Sequence, residues 1–180
     1  MERIVYRVNR DLMAVIKTPV RRRLVMVKPD FPALLPPGVH VRTLFDVQQL
    51  AVDPFVAGTE RHDLFRKLCL WVDEIKKIGI TCNMWLDGSF LTQKPTPSDI
   101  DCVIWAPQWI HPRYDTIEHR DRFKRLCEDH DQIKAMYGLD LYLPMPATDH
   151  DEFNEKAYWR GVFGFCHDRV TAKGFAEIQI

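Results

Sequence analysis

The sequence holds no C-x-x-C pair, no internal repeat, no low-complexity segment and no apolar run near the roughly 20 residues that span a bilayer. The five cysteines, Cys69, Cys82, Cys102, Cys127 and Cys166, are scattered and odd in number, which argues against a disulfide framework and suits reduced thiols in a cytoplasm. No Cys/His spacing matches a structural zinc site. The opening segment, MERIVYRVNRDLMAVIKTPVRRR, breaks its apolar residues with charges, so no secretory signal is read there. Net charge is also lacking, but its distribution is uneven. Residues 1–28 carry eight Lys/Arg against Glu2 and Asp11, and the rest of the chain balances that surplus. Such an arm suits an anionic partner, nucleic acid or protein, or docking on an acidic body; Arg21, Arg22 and Arg23 are its densest point.

What is present is enough for a core: 46% of the 180 residues are hydrophobic and 28% charged. Short strands are predicted at 3–8, 12–17 and 23–28. KPDFPALLPPGVH, Lys28 to His40, holds four prolines and a glycine and reads as a linker, with a boundary near Leu35 between a basic N-terminal extension, residues 1–34, and a domain spanning residues 35–180. Leu64, Leu68, Trp71 or Val72, Ile75 and Ile78 recur at helical spacing after Thr59 and end at Gly79, predicting an amphipathic helix. Strands follow at Ile80–Leu86 and Ile100–Trp105. A single helix is predicted from Thr116 to Tyr137, opened by Asp115 and Glu118 in capping-box spacing and closed by Gly138. A third strand is expected at Leu139–Pro144, then a polar loop at DHDEFNE, then a closing hairpin of Tyr158–Phe165 and Gly174–Ile180. The pattern is that of an α+β, or α/β, mixed sheet with helices mainly on one face.

The chemistry gathers in WLDGSFLTQKPTPSDIDCVIW. Side chains alternate along a strand, so Asp99 and Asp101 project to one side while apolar Ile100 and Cys102 project to the other. Paired carboxylates raise one another's pKa unless a cation lies between them, and Mg²⁺ prefers carboxylate oxygens together with substrate phosphates. Asp140, in GLDLYL, again stands between apolar neighbours on a short strand. Upstream, Gly88 and Ser89 occupy a turn where backbone can approach a phosphate and a hydroxyl can donate to it. Lys94 lies between that turn and the acids, within reach of a phosphate or simply solvated.

Other features carry less. Arg169 and Lys173 flank the closing turn, where a cation could meet a nucleotide or serve solubility. CEDHDQ reads as a solvated helix face and TDHDE as a loop. Trp71, Trp85, Trp105, Trp109 and Trp159 are core aromatics first, with Trp109, just beyond the acidic strand, the best placed to stack a base.

GSFLTQKPTPSDIDCVIW resembles the signature of the DNA polymerase beta-type nucleotidyltransferase superfamily: Gly-Ser, a spacer (nine residues here, Phe90 to Ser98), then Asp-hydrophobic-Asp-hydrophobic. The blocks LPPGVH, WLDGSFLTQKPTPSDIDCV, YGLDLYL and FGFCHDRVTAKGFAEIQI further resemble a small nucleotidyltransferase-like family over roughly residues 35–180. The resemblance implies that Gly88 and Ser89 hold a triphosphate and that Asp99, Asp101 and Asp140 bind two Mg²⁺, or Mn²⁺. It implies transfer of a nucleoside monophosphate from an NTP to a hydroxyl on a protein, an RNA end or a small molecule. Similar minimal enzymes occur in toxin–antitoxin and phage-defence settings. Asp87 departs from the superfamily, which often has an apolar residue there, and no large second domain follows to hold base or acceptor. Two alternatives stand beside the enzyme: a non-catalytic nucleotide-binding or regulatory subunit, and a nucleic-acid binder acting through residues 1–28.

Overall fold

The computed structural model describes residues 30–180. The strands expected within 3–28 and the basic arm lie outside the described residues. Five strands, β1 (Gly38–Val41), β2 (Ile80–Asp87), β3 (Ile100–Trp109), β4 (Leu139–Tyr142) and β5 (Gly174–Gln179), form one mixed sheet in the order β1-β5-β2-β3-β4. β2 runs antiparallel to both β3 and β5, whereas β1–β5 and β3–β4 are parallel. Five α-helices complete the α+β fold: α1 (Leu44–Ala51), α2 (Glu60–Lys77), α3 (Ile117–Cys127), α4 (His130–Tyr137) and α5 (Asp149–Phe163).

Strand alternation divides the sheet into two faces. Ile80, Cys82, Met84 and Leu86 of β2, Ile100, Cys102 and Ile104 of β3, and Leu139 and Leu141 of β4 join the main core, which α1 to α4 cover. The α2 stripe is as expected: Leu68, Trp71 and Ile75 are fully buried, and burial of each such side chain contributes about 1.5–3 kcal/mol. Gly79 ends this helix region at φ +78°, and a Cβ there would stand 2.3 Å from the Tyr114 ring. On the opposite face Trp85, Val103, Trp105 and Phe175 meet Phe163, Trp159 and Val162 of α5. Helices thus lie mainly on one face, with α5 alone across the other.

Three expectations are corrected. The predicted Thr116–Tyr137 helix is two helices, because the Asp129 carboxylate accepts from Gln132 N and caps a new start at His130. The polar loop at DHDEFNE is the first half of α5. Thr148 caps it, its hydroxyl accepting from Asp151 N, and Asp149, Asp151 and Glu152 lie in the first turn, where the helix dipole favours acids. The closing hairpin is absent: Tyr158–Phe163 continues α5, and β5 pairs instead with β1 and β2. Trp159 and Phe163, four residues apart, reach Tyr142 and Phe175 across the sheet, and this packing overrides their strand propensity.

The proline-rich stretch is docked on the domain. Leu34 N donates to Leu91 O, Gln93 N to Pro32 O and Gly174 N to Leu35 O, while Leu35 is buried in the core. Its last residues, Gly38 to Val41, form β1, a ladder that the run of prolines had argued against. Among the described residues no helix is long and apolar enough to cross a membrane.

Candidate functional site

Register sets the acids in a row. Asp87 of β2 pairs with Asp101 of β3, and Asp101 with Asp140 of β4, so three carboxylates stand side by side on the α5 face. Asp99, just before β3, joins them at the rim. All four line one cavity of about 500 Å³ together with Gly88, Ser89, Lys94, Lys134, Arg169 and Lys173. The structure therefore brings together every site residue expected from the sequence: Asp99, Asp101, Asp140, Gly88, Ser89 and Lys94.

The four carboxylates differ in their partners. Asp87 is buried and receives the Lys173 ammonium on both oxygens, at 2.6 and 2.5 Å. Burial still pushes its carboxyl up, to about 7, against the pull of Lys173 and of Gly88 N–H. Lys173 is thus committed to a structural pair rather than free for a nucleotide, and the polar Asp87, odd in the family resemblance, has its explanation. Removing one partner of such a buried pair costs about 3–5 kcal/mol. Lys173→Met is expected to lower stability by that order in urea unfolding, with the Asp87→Asn, Lys173→Met double variant recovering most of the loss.

Lys134, on α4, bridges the next two acids: its ammonium lies 2.8 Å from Asp99 Oδ2 and 3.1 Å from Asp140 Oδ2. These bonds, Asp99 first, hold its pKa well above the usual lysine range. Asp140 Oδ1 is buried without a hydrogen bond; His130 Nε2 stands 3.2 Å away at an angle that makes none. Asp101 has no cation within salt-bridge distance among the described residues. Burial, then Asp99 and Asp140, hold its carboxyl above the usual range.

The Gly88–Ser89 turn is positioned by a group no motif announces. Gly88–Leu91 is a single 3-10 turn following β2 directly. Gly88 has φ +78°, and a Cβ would fall 1.7 Å from Asp101 Oδ2, so only glycine lets the turn pass the acid. Gly88→Ala is expected to displace the Asp101 carboxylate and strain the turn, lowering the urea unfolding midpoint. Behind the turn lies Arg61 of α2, wholly buried. Its guanidinium donates to Ala51 O and Thr92 O, each at 2.9 Å, and to Phe90 O and Lys94 O, while stacking 3.8 Å over Phe55. The one signal for it in the sequence is its phase: Arg61 falls three and seven residues before Leu64 and Leu68, on the buried stripe.

The Ser89 hydroxyl and the Lys94 ammonium line the cavity with no hydrogen bond among the described residues. Arg169, held at φ +59° in a turn whose Asp168 carboxylate accepts from Val170 N, Thr171 N and Thr171 Oγ1, likewise meets no acid there. Of the tryptophans, none lines the cavity; Trp109 packs on Phe123 and His119 instead.

The donor set, being carboxylate throughout, is of the kind that suits a hard divalent ion, with no cation within salt-bridge distance of Asp101 among the described residues and one Asp140 oxygen buried without a hydrogen bond. Among the described residues, however, no group of three or more His, Cys, Asp or Glu side chains is placed to hold a metal ion, and Lys134 lies between two of the acids. A family model described as "Family of unknown function (DUF6932)" matches residues 29–179. No curated protein and no solved structure matches the chain.

Proposed function

The chain belongs to DUF6932, and we propose that it is a metal-dependent nucleotidyltransferase, moving a nucleoside monophosphate from an NTP to an acceptor hydroxyl. The observation that carries the reading is Asp101: a partly buried carboxylate with no cation within salt-bridge distance among the described residues, in register with Asp140 and beside Asp99, in a cavity also lined by Lys94 and Arg169, which pair with no acid among those residues. Carboxylates alone would repel a triphosphate. Lys94 and Arg169 offset that repulsion, and the Gly88–Ser89 turn offers backbone and hydroxyl to the phosphates.

Asp99, Asp101 and Asp140 would hold Mg²⁺, or Mn²⁺ in its place, one or two ions. Bound there, the metal supplies charge neutralisation on the phosphates and a lowered pKa for the attacking hydroxyl. The remaining work is positioning: the turn would fix the phosphate chain, the acids would hold the metal beside the α-phosphorus, and the open side of the cavity would admit the acceptor. The hydroxyl oxygen bonds to the α-phosphorus, the bond to pyrophosphate breaks with its electron pair leaving on pyrophosphate, and the hydroxyl proton passes to solvent water. Label from an α-labelled NTP appearing on an acceptor, with pyrophosphate released, tests this directly.

A second reading has an observation of its own. Lys134 across Asp99 and Asp140 is the arrangement expected of a subunit that binds a nucleotide without turnover. Saturable NTP binding with no pyrophosphate release, with or without cell extract, would favour it.

A further inference from the structure

Lys134 does not belong to the expected site, yet its ammonium takes the position between two acids where a divalent ion would be held. It is tied to Asp99 Oδ2 at 2.8 Å and to Asp140 Oδ2 at 3.1 Å, and its side chain is 42% exposed. A long stem rooted on the outer surface of α4 can leave without disturbing the core, because the buried contact of that helix is Ile133. One positive charge satisfies two of the carboxylates, and among the described residues Asp101 has no cation within salt-bridge distance.

We propose that Lys134 is the resident counter-cation of this site: it holds Asp99 and Asp140 together while no divalent ion is bound, and gives way to one as a triphosphate enters. The inference rests on the metal-dependent reading of the same acids. Its logic is competition. A divalent ion alone must displace an ammonium that already has two carboxylate partners, so the free site binds it weakly. A triphosphate offers that ammonium new oxygens within the same cavity, beside Lys94 and Ser89. Metal and triphosphate then favour one another's binding, and by linkage the coupling is mutual. The device delays occupation of the acids until the substrate is present. Lys134 is in this sense a positioning residue for the metal, acting through Asp99 and Asp140.

The test is direct binding of Mn²⁺ alone, without nucleotide, followed by electron paramagnetic resonance for wild type, Lys134→Met and Lys134→Arg. With its competitor removed, Lys134→Met is expected to bind Mn²⁺ at least about tenfold tighter, inside the 5- to 150-fold range of typical couplings. Lys134→Arg keeps the charge and is expected to stay near the wild type, which separates competition from any general disturbance of α4. Equal or weaker Mn²⁺ binding by Lys134→Met overturns the inference while leaving the metal site standing. Failure of all three proteins to bind Mn²⁺ alone overturns the inference, and failure to bind it with a non-hydrolysable NTP present overturns the metal-dependent reading as well.

Discussion

Arg61→Met is expected to destabilise the domain by about 3–5 kcal/mol, a large fraction of the roughly 5–15 kcal/mol that holds a typical native fold. The guanidinium has no carboxylate partner among the described residues; its charge is balanced by carbonyls of Ala51, Phe90, Thr92 and Lys94 and by the Phe55 ring. Burial lowers its pKa to about 10, so it remains charged at neutral pH. Methionine would fill much of the volume and satisfy none of those oxygens, each of which costs about 1–3 kcal/mol when buried without a donor. Lysine is no remedy, since one ammonium cannot span carbonyls that the two ends of a guanidinium reach. The loss would fall on the loop that holds Ser89 and Lys94. Urea unfolding measures the global effect, and hydrogen exchange of the Phe90–Lys94 amides should accelerate before the rest of the core opens. An unchanged unfolding midpoint would refute this role for Arg61.

Asp101→Asn is expected to do the opposite to stability while abolishing transfer. Burial first, then Asp99 and Asp140, hold the Asp101 carboxyl of the folded chain above the usual carboxylate range. A carboxyl raised in this way favours the folded state fully below its unfolded pKa, and that contribution is lost as pH rises through the folded value. At neutral pH the ionised group therefore opposes folding. Asparagine removes the charge and keeps the shape, so the metal-free variant should be more stable than wild type at pH 7 by on the order of 1 kcal/mol, with the gain shrinking as pH falls toward 4. On the proposed metal-dependent reading the same change removes a ligand, which for two-metal phosphoryl chemistry would cost several kcal/mol, or at least about a thousandfold in rate. A variant both more stable and inactive is the signature of a site whose repulsion serves binding.

Much of this was legible because strands and helices write their period into the chain. The alternation around Asp99 and Asp101 announced that their apolar neighbours face the core, and β2, β3 and β4 carry it out. The apolar stripe of α2 and its glycine stop were equally plain. What escaped depends on partners far away in sequence. Nothing local to Lys173 points to Asp87, 86 residues earlier, and nothing local to Lys134 distinguishes it from its exposed neighbours until β4 brings Asp140 alongside. Arg61 was in phase with a buried stripe, but a lone arginine there ordinarily snorkels; the carbonyl of Ala51, ten residues earlier, and the loop returning 29 to 33 residues later give it acceptors. The acids that open α5 looked like a mobile loop for the reason that they favour a helix start: they are polar, clustered and follow a threonine.

The central claim, that these acids support nucleotidyl transfer, is tested most directly by incubating the purified full chain with each α-labelled NTP and Mg²⁺ or Mn²⁺, with and without cell extract, alongside Asp101→Asn. Wild type is expected to place label on a specific acceptor with stoichiometric pyrophosphate, and Asp101→Asn to yield neither although it remains folded. Equal labelling by the two proteins, or saturable NTP binding by wild type with no pyrophosphate under any of these conditions, would contradict that claim.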